Sequence, residues 1–229
     1  MDKTCLVIPA AGAAVRWGLR THKELLPVAR GSEMYRSLLQ HALAAGSMGG
    51  ADTAVVITKY DKIQMQVGNI ESWPKLSREL EIYYTLQPEH AKEIWGAITC
   101  SFAFTSDRYF FAMPDTFFPE QIFMSVPPAA DFWLGIFATT QATRFGILDA
   151  EDWIFDKGPV SQHHTTYAWG VASWSLRVVE FWQECGPYDD YAAAFNHAIL
   201  HFGCEKTVMD FYYDNANYDE YKNLLRGAA

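Results

Sequence analysis

The stretch VIPAAGAAVRWGLRTHKELLPV, residues 7–28, decides how this chain is read. It leaves an apolar strand, passes through small residues to Arg16, and reaches Lys23 seven positions later. Small residues let backbone N–H groups approach a polyphosphate closely, Arg16 offers a planar fork of donors, and Lys23 offers a compact charge. The same pattern also suits an ordinary turn between strand and helix carrying two solvated cations. The surrounding chain separates the two readings.

Outward from this loop, short apolar runs alternate with amphipathic ones. CLVIPA, TAVVIT, EIYYTL and YFFAM are brief and rich in β-branched or aromatic residues, and they read as buried strands. EMYRSLLQHALAAG places Met34, Leu38, Leu39, Ala42 and Leu43 along one helical face and stops at Gly46, and KEIWGAITCSFAF reads as a second helix. This alternation predicts a Rossmann-like three-layer α/β/α fold with a mostly parallel central mixed sheet. Ligands of such sheets bind beyond the carboxyl ends of the strands, where the opening loop and MPDT both emerge.

Later in the chain, DFWLGIFA, RFGILDA, DWIFDKG and TYAWGVASW predict antiparallel or mixed strands. LRVVEFWQECG, YAAAFNHAILHFG and YDEYKNLL read as closing helices. No repeat and no Pro/Gly/Ser-rich linker divides the chain. A single domain over residues 1–229 is expected, with lobes of about 1–125 and about 126–229.

Half the residues are hydrophobic and 20% are charged, a composition that folds. A formal net charge of −9 and the lack of a Lys/Arg cluster exclude a nucleic-acid surface, while two or three placed cations still suffice for a small phosphorylated ligand. No apolar run reaches the roughly 20 residues of a membrane span, and MDKTCLVIPAAG lacks the order of a secretory signal, so a soluble cytoplasmic protein is expected. Cys5, Cys100, Cys185 and Cys204 are scattered and read as buried free thiols. Neither the adjacent His163 and His164 nor the i, i+4 pair His197 and His201 makes a metal site without a third ligand. The eight tryptophans read mostly as core, with Trp17 and Trp169 as candidate pocket walls.

Six segments, in order, resemble the nucleotidyltransferases that make activated sugars. IPAAGAAVRWG...HKELLPV is similar to that family's A-G-G-x-G-T-R loop followed by P-K-x-L-L-P-V, and LQPEHAKEIWGAI to its Q-P-x-x-x-G-x-A-x-A-I. YFFAMPDTFF resembles its strand ending in G-D, and RFGILDAEDWIFDKGP its R-Y-G-V-V...E-K-P. TYAWGVASWS resembles its G-[IL]-Y segment, and YDNANYDEYKNLL its D-x-G-T-P-E-D-Y-L. The resemblance implies a nucleotide-diphospho-sugar transferase type of fold. It also implies transfer of NMP from an NTP to a phosphorylated small molecule, a sugar 1-phosphate above all, with release of pyrophosphate.

Carried over position by position, the resemblance gives Arg16 and Lys23 the grip on the triphosphate and Asp115 and Asp214 the Mg2+. Ala10, Ala11, Gly12 and Ala13 become the phosphate loop and Gln87 the residue that reads the base. Gly146, Asp156, Lys157 and Gly170 take acceptor positions, with Lys157 near the acceptor phosphate and Asp156 accepting from hydroxyls. The acceptor phosphate is the nucleophile, and neither a G-x-S-x-G motif nor a Cys/His pair is present. NTP and acceptor are the implied partners, without nucleic acid or membrane, and a homo-oligomer stays open.

The departures are as specific as the matches. Ala14 and Val15 replace glycine and threonine of the loop, where an alanine at positive φ costs on the order of 1 kcal/mol and valine has no hydroxyl to donate. His22 replaces proline, Pro114 replaces the glycine before the metal aspartate, and Ala216 and Asn217 replace G-T. After Gln87 the family's glycine falls on Ala91, Lys92 or Glu93. The Arg16–Lys23 spacing is closer to the small cytidylyltransferases, G-x-G-x-R-M-G-x-x-x-P-K. Two alternatives therefore stand: a cytidylyltransferase acting on a phosphorylated alcohol or phosphonate, and a non-catalytic relative that binds nucleotide or sugar nucleotide. No hexapeptide repeat is present, so a second, acetyltransferase-like domain is not expected.

Overall fold

A computed structural model describes residues 3–12, 22–28, 36–73, 80–91, 93–157, 166–215 and 217–227. In chain order the elements are β1 (Thr4–Pro9), a 3-10 turn (Lys23–Leu25), β2 (Pro27–Val28), β3 (Arg36–Ser37), α1 (Leu38–Met48), β4 (Thr53–Thr58), α2 (Ile63–Glu71) and β5 (Glu81–Leu86). There follow α3 (Ile94–Ser101), β6 (Arg108–Ala112), β7 (Thr116–Phe117), β8 (Phe132–Thr139), β9 (Gly146–Leu148), β10 (Ile154–Asp156) and β11 (Thr166–Ser175). The chain closes with α4 (Leu176–Cys185), α5 (Tyr191–Phe202), β12 (Glu205–Val208), β13 (Tyr213–Asp214) and α6 (Tyr218–Gly227).

A nine-stranded mixed sheet runs β10-β9-β11-β6-β1-β4-β5, and β8 pairs with both β11 and β12. Strands β6, β1, β4 and β5 are parallel, and β11 joins them antiparallel through β6. Both halves of the sequence thus contribute to one sheet. Along β1, Cys5 and Val7 enter one apolar cluster and Leu6 and Ile8 the other, the period-2 alternation of a strand buried on both faces. The first cluster holds the packed faces of α3, α4 and α5, and the second that of α1, which gives the three layers.

Local chemistry explains the boundaries. Ser37 and Gln40 form a reciprocal capping box at the start of α1: Gln40 N donates to Ser37 Oγ (3.1 Å) and Ser37 N to Gln40 Oε1 (2.9 Å). The helix passes through Gly46, where the sequence reading ends it, and continues to Met48. Gly46 is there for close packing, because a Cβ would lie 2.5 Å from Leu6 Cδ2 on β1. EIYYTL is an edge strand with alternating exposure rather than a buried one, since among the described residues no strand pairs beyond β5. Among the thiols only Cys5 is buried, and burial pushes it up to about 11; Cys100 and Cys204 are half-buried and Cys185 is exposed. Trp133, Trp174 and Trp182 are core, with Trp182 stacked on Phe195 at 5.8 Å. On α5, His197 Nδ1 lies 2.7 Å from Tyr188 Oη, and the exposed His201 stacks on Phe181. Among the described residues no helix is long and apolar enough to cross a membrane.

Candidate active site

The parallel strands end at Pro9, Thr58, Leu86 and Ala112, and the segments leaving these ends build one face of the site. After β1 the chain turns through Ala10, Ala11 and Gly12, of which Ala10 and Ala11 are buried. Arg16, Ala13 and Trp17 lie outside the described residues. Lys23 opens the 3-10 turn, which is closed by Leu26 N donating to Lys23 O (3.1 Å) and tied to α1 by Leu38 N donating to Leu26 O (3.0 Å). Its ammonium reaches Asp115 Oδ2 at 2.8 Å, across 92 residues of sequence.

Asp115 follows β6 and precedes β7, which pairs antiparallel with β13 so that Asp214 faces Thr116. Asn215 fixes the approach, donating to Asp115 O from its backbone N (3.2 Å) and its Nδ2 (3.0 Å). The two carboxylates therefore come together from segments a hundred residues apart. Burial raises the pKa of Asp214 above the ordinary carboxylate value, the charge of Asp115 adds to this, and Arg144 opposes it. Arg144 Nη2 donates to Asp214 Oδ2 (2.7 Å) and Nη1 to Glu220 Oε1. Asn217 starts the helix that carries Glu220, accepting from Glu220 N at 3.1 Å. Each aspartate is thus balanced by a cation, one from each half of the chain.

Gln87 follows β5 and closes the loop there by donating from Nε2 to Ala91 O (2.5 Å) and Glu93 O (3.0 Å). Gly96 makes that closure possible: a Cβ there would sit 2.6 Å from the carbonyl carbon of Ala91. Beside it lies a cavity of about 400 Å³, lined by Lys59, Tyr60 and Asp61 after β4, by Leu86 at the end of β5 and by residues 87–89 beyond it.

On the opposite side, Gly146 of β9 pairs with Asp156 of β10, whose Oδ1 accepts from Tyr191 Oη at 2.7 Å. Burial first, and the Asp156 hydrogen bond second, push the Tyr191 phenol up. Gly146 is buried under Trp169 and Tyr191, where a Cβ would meet the indole nitrogen and lie 2.6 Å from Tyr191 Oη. Gly170 sits at a register shift in β11, and a Cβ there would lie 2.6 Å from Tyr212 Cδ2. Lys157 is exposed and held at φ 69, a left-handed conformation rare for lysine.

No protein-family model and no curated protein sequence matches the chain. Solved structures do. A candidate glucose-1-phosphate thymidylyltransferase from Bacillus anthracis, solved with sucrose, superposes with a TM-score of 0.80 at 18% identity, covering 98% of this chain and 95% of that one. A UDP-glucose pyrophosphorylase complexed with UDP-glucose superposes with a TM-score of 0.75 at 15% identity, covering 99% and 98%. This is the fold of the NDP-sugar pyrophosphorylase-like nucleotidyltransferases.

Within this fold, Lys23, Asp115 and Asp214 meet, and Ala10–Gly12 and Gln87 leave parallel strands β1 and β5, which flank β4. Gly146 and Asp156 pair with each other, and Gly146 follows Arg144 by two residues, which links the β9–β11 region to the carboxylates. Sequence reasoning missed Arg144, Glu220 and Tyr191. Arg144 stands in the RFG motif, but its carboxylate partners are 70 and 76 residues away, and nothing local points to them. Asp115, one residue before β7, and Asp214, in the paired β13, offer hard carboxylate oxygens, a donor set that fits Mg2+. Among the described residues no group of three or more His, Cys, Asp or Glu could hold a metal. Magnesium keeps several waters and takes phosphate oxygens, so one or two protein carboxylates suffice to hold it.

Proposed function

We propose that the chain is a nucleotidyltransferase that transfers NMP from an NTP to a sugar 1-phosphate, forming an NDP-sugar and releasing pyrophosphate. The observation that carries this is the meeting of Lys23, Asp115 and Asp214 at the carboxyl ends of the parallel strands, in this fold. An oxygen of the acceptor phosphate attacks the α-phosphorus, and the bond from the α-phosphorus to the bridging oxygen breaks as pyrophosphate leaves. Several negative charges must be brought together and held in line, so positioning and fixed cations supply the catalysis.

Lys23 takes the triphosphate with Arg16, and the Ala10–Ala13 segment offers it backbone donors. Asp115 and Asp214 would hold Mg2+, which when bound supplies positive charge to the reacting phosphates. Gln87 and the adjoining cavity take the base. Asp156, oriented by Tyr191, accepts from acceptor hydroxyls, and Lys157 meets the acceptor phosphate.

Pyrophosphate release, measured with Mg2+ across the common NTPs and sugar 1-phosphates, tests the reading. Turnover is expected for at least one pair. Saturable nucleotide binding without turnover for any pair would favour instead a binding protein, a reading motivated by Ala14 and Val15 in the loop and by the family glycine that falls on Ala91, Lys92 or Glu93 after Gln87.

A further inference from the structure

Beneath the loop after β1 lies a buried ion pair that neither the phosphate loop nor the carboxylate centre accounts for. Lys62 and Glu24 are 5% and 4% exposed, and Gln66 and Thr58 are wholly buried. Lys62 Nζ donates to Gly12 O (2.7 Å), Glu24 Oε1 (3.0 Å) and Ala10 O (3.2 Å). An ammonium has three protons, so none is left for a ligand. Gln66 Nε2 donates to Glu24 Oε1 (2.8 Å) and Ala10 O (3.2 Å), while its Oε1 accepts from Thr58 Oγ1 (2.6 Å).

The placement of Lys62 is unfavourable on local grounds. It is the N-cap residue of α2, where the helix dipole disfavours a cation, and it makes no side-chain cap. A buried charge pair is also seldom more stabilising than an apolar pair of the same volume. A residue that violates local rules while fully satisfied elsewhere points to a constraint other than stability.

That constraint is visible in the peptide planes. With the carbonyl of Ala10 turned down onto Lys62 and Gln66, the planar trans peptide turns the N–H of Ala11 to the opposite side. Glu24, next to Lys23, is drawn into the same network, so the loop and the base of the lysine that meets Asp115 are held by one buried cluster. We infer that Lys62 and Glu24 are positioning residues that set the loop's N–H groups and Lys23 for the triphosphate. This inference rests on the nucleotidyltransferase reading.

The test is calorimetric titration of ATP, CTP, GTP, UTP and dTTP with Mg2+ into the wild type and into Lys62→Met/Glu24→Leu, which removes both charges at similar volume. The double variant is expected to stay folded and to weaken the nucleotide that binds wild type by about tenfold or more. Its nucleotide KM should rise while its acceptor KM stays unchanged, a split that a merely structural role would not produce. Should the double variant fail to fold, Glu24→Gln keeps the acceptor and removes only the charge, with about a threefold weakening expected. A folded variant that binds nucleotide as wild type does overturns the inference and leaves the nucleotidyltransferase reading intact. A wild type that binds none of the five nucleotides overturns both.

Discussion

Below the parallel strand ends, Lys62, Glu24 and Gln66 bury charge and amide groups under the loop after β1; beside β9 and β11, Trp169, Tyr191 and Tyr212 fill the space left by Gly146 and Gly170. The first region fixes its backbone by saturating every donor, the second by packing rings onto bare backbone. Polar networks specify direction, because a carbonyl held on one side commits its peptide N–H to the other. Ring packing specifies distance, and at Gly146 and Gly170 it brings aromatic side chains onto bare backbone.

The largest effect is expected where the regions join. Asp115→Asn should lower kcat by roughly 10²–10³-fold with the melting temperature little changed, measured by pyrophosphate release. Gly146→Ala should destabilise by about 1–3 kcal/mol in urea unfolding, because its Cβ enters space held by Trp169 and Tyr191. Adding Trp169→Phe, which removes the indole nitrogen, should recover part of that loss, as expected for residues in contact. Tyr191→Phe should cost about 0.5–1.5 kcal/mol through its hydrogen bond to Asp156, and it should raise the acceptor KM while sparing the nucleotide KM.

The smallest effect concerns pH. Asp214 has a raised pKa in the folded chain, so the folded state holds its proton more tightly than the unfolded one. Its contribution favours folding below the ordinary carboxylate range and is lost as pH rises through the raised folded value. Melting curves across that window should show the stability difference between wild type and Asp214→Asn shifting in favour of wild type as pH falls.

The parallel strands were legible because β-branched and aromatic residues cluster in runs of about six, too short for helices. Asp115 and Asp214 stand out in the sequence only as matches to a family pattern, whereas Lys23 also stands out as a charge following a loop of small residues. Other elements left weaker signals. Along α2, IQMQVGNIE has no clean apolar stripe and buries Gln66, a polar residue. EKTV in β12 is largely exposed and becomes a strand because the edge of β8 receives it. Met34 and the His163–His164 pair fall outside the described residues. Lys62 pairs with Glu24 across 38 residues, and its one local trace is a lysine set against a helix dipole. Long-range polar pairing has no period, so it leaves no pattern to read.

Phosphorus NMR of the protein with an NTP, a sugar 1-phosphate and Mg2+ tests nucleotidyl transfer most directly. For a productive pair, the NTP and sugar phosphate signals should fall together while pyrophosphate and a diphosphate sugar grow in equal amounts, and Asp115→Asn should slow the growth of both products by roughly 10²–10³-fold. Release of inorganic phosphate with NDP, or unchanged spectra for every NTP and sugar 1-phosphate despite bound nucleotide, would contradict it.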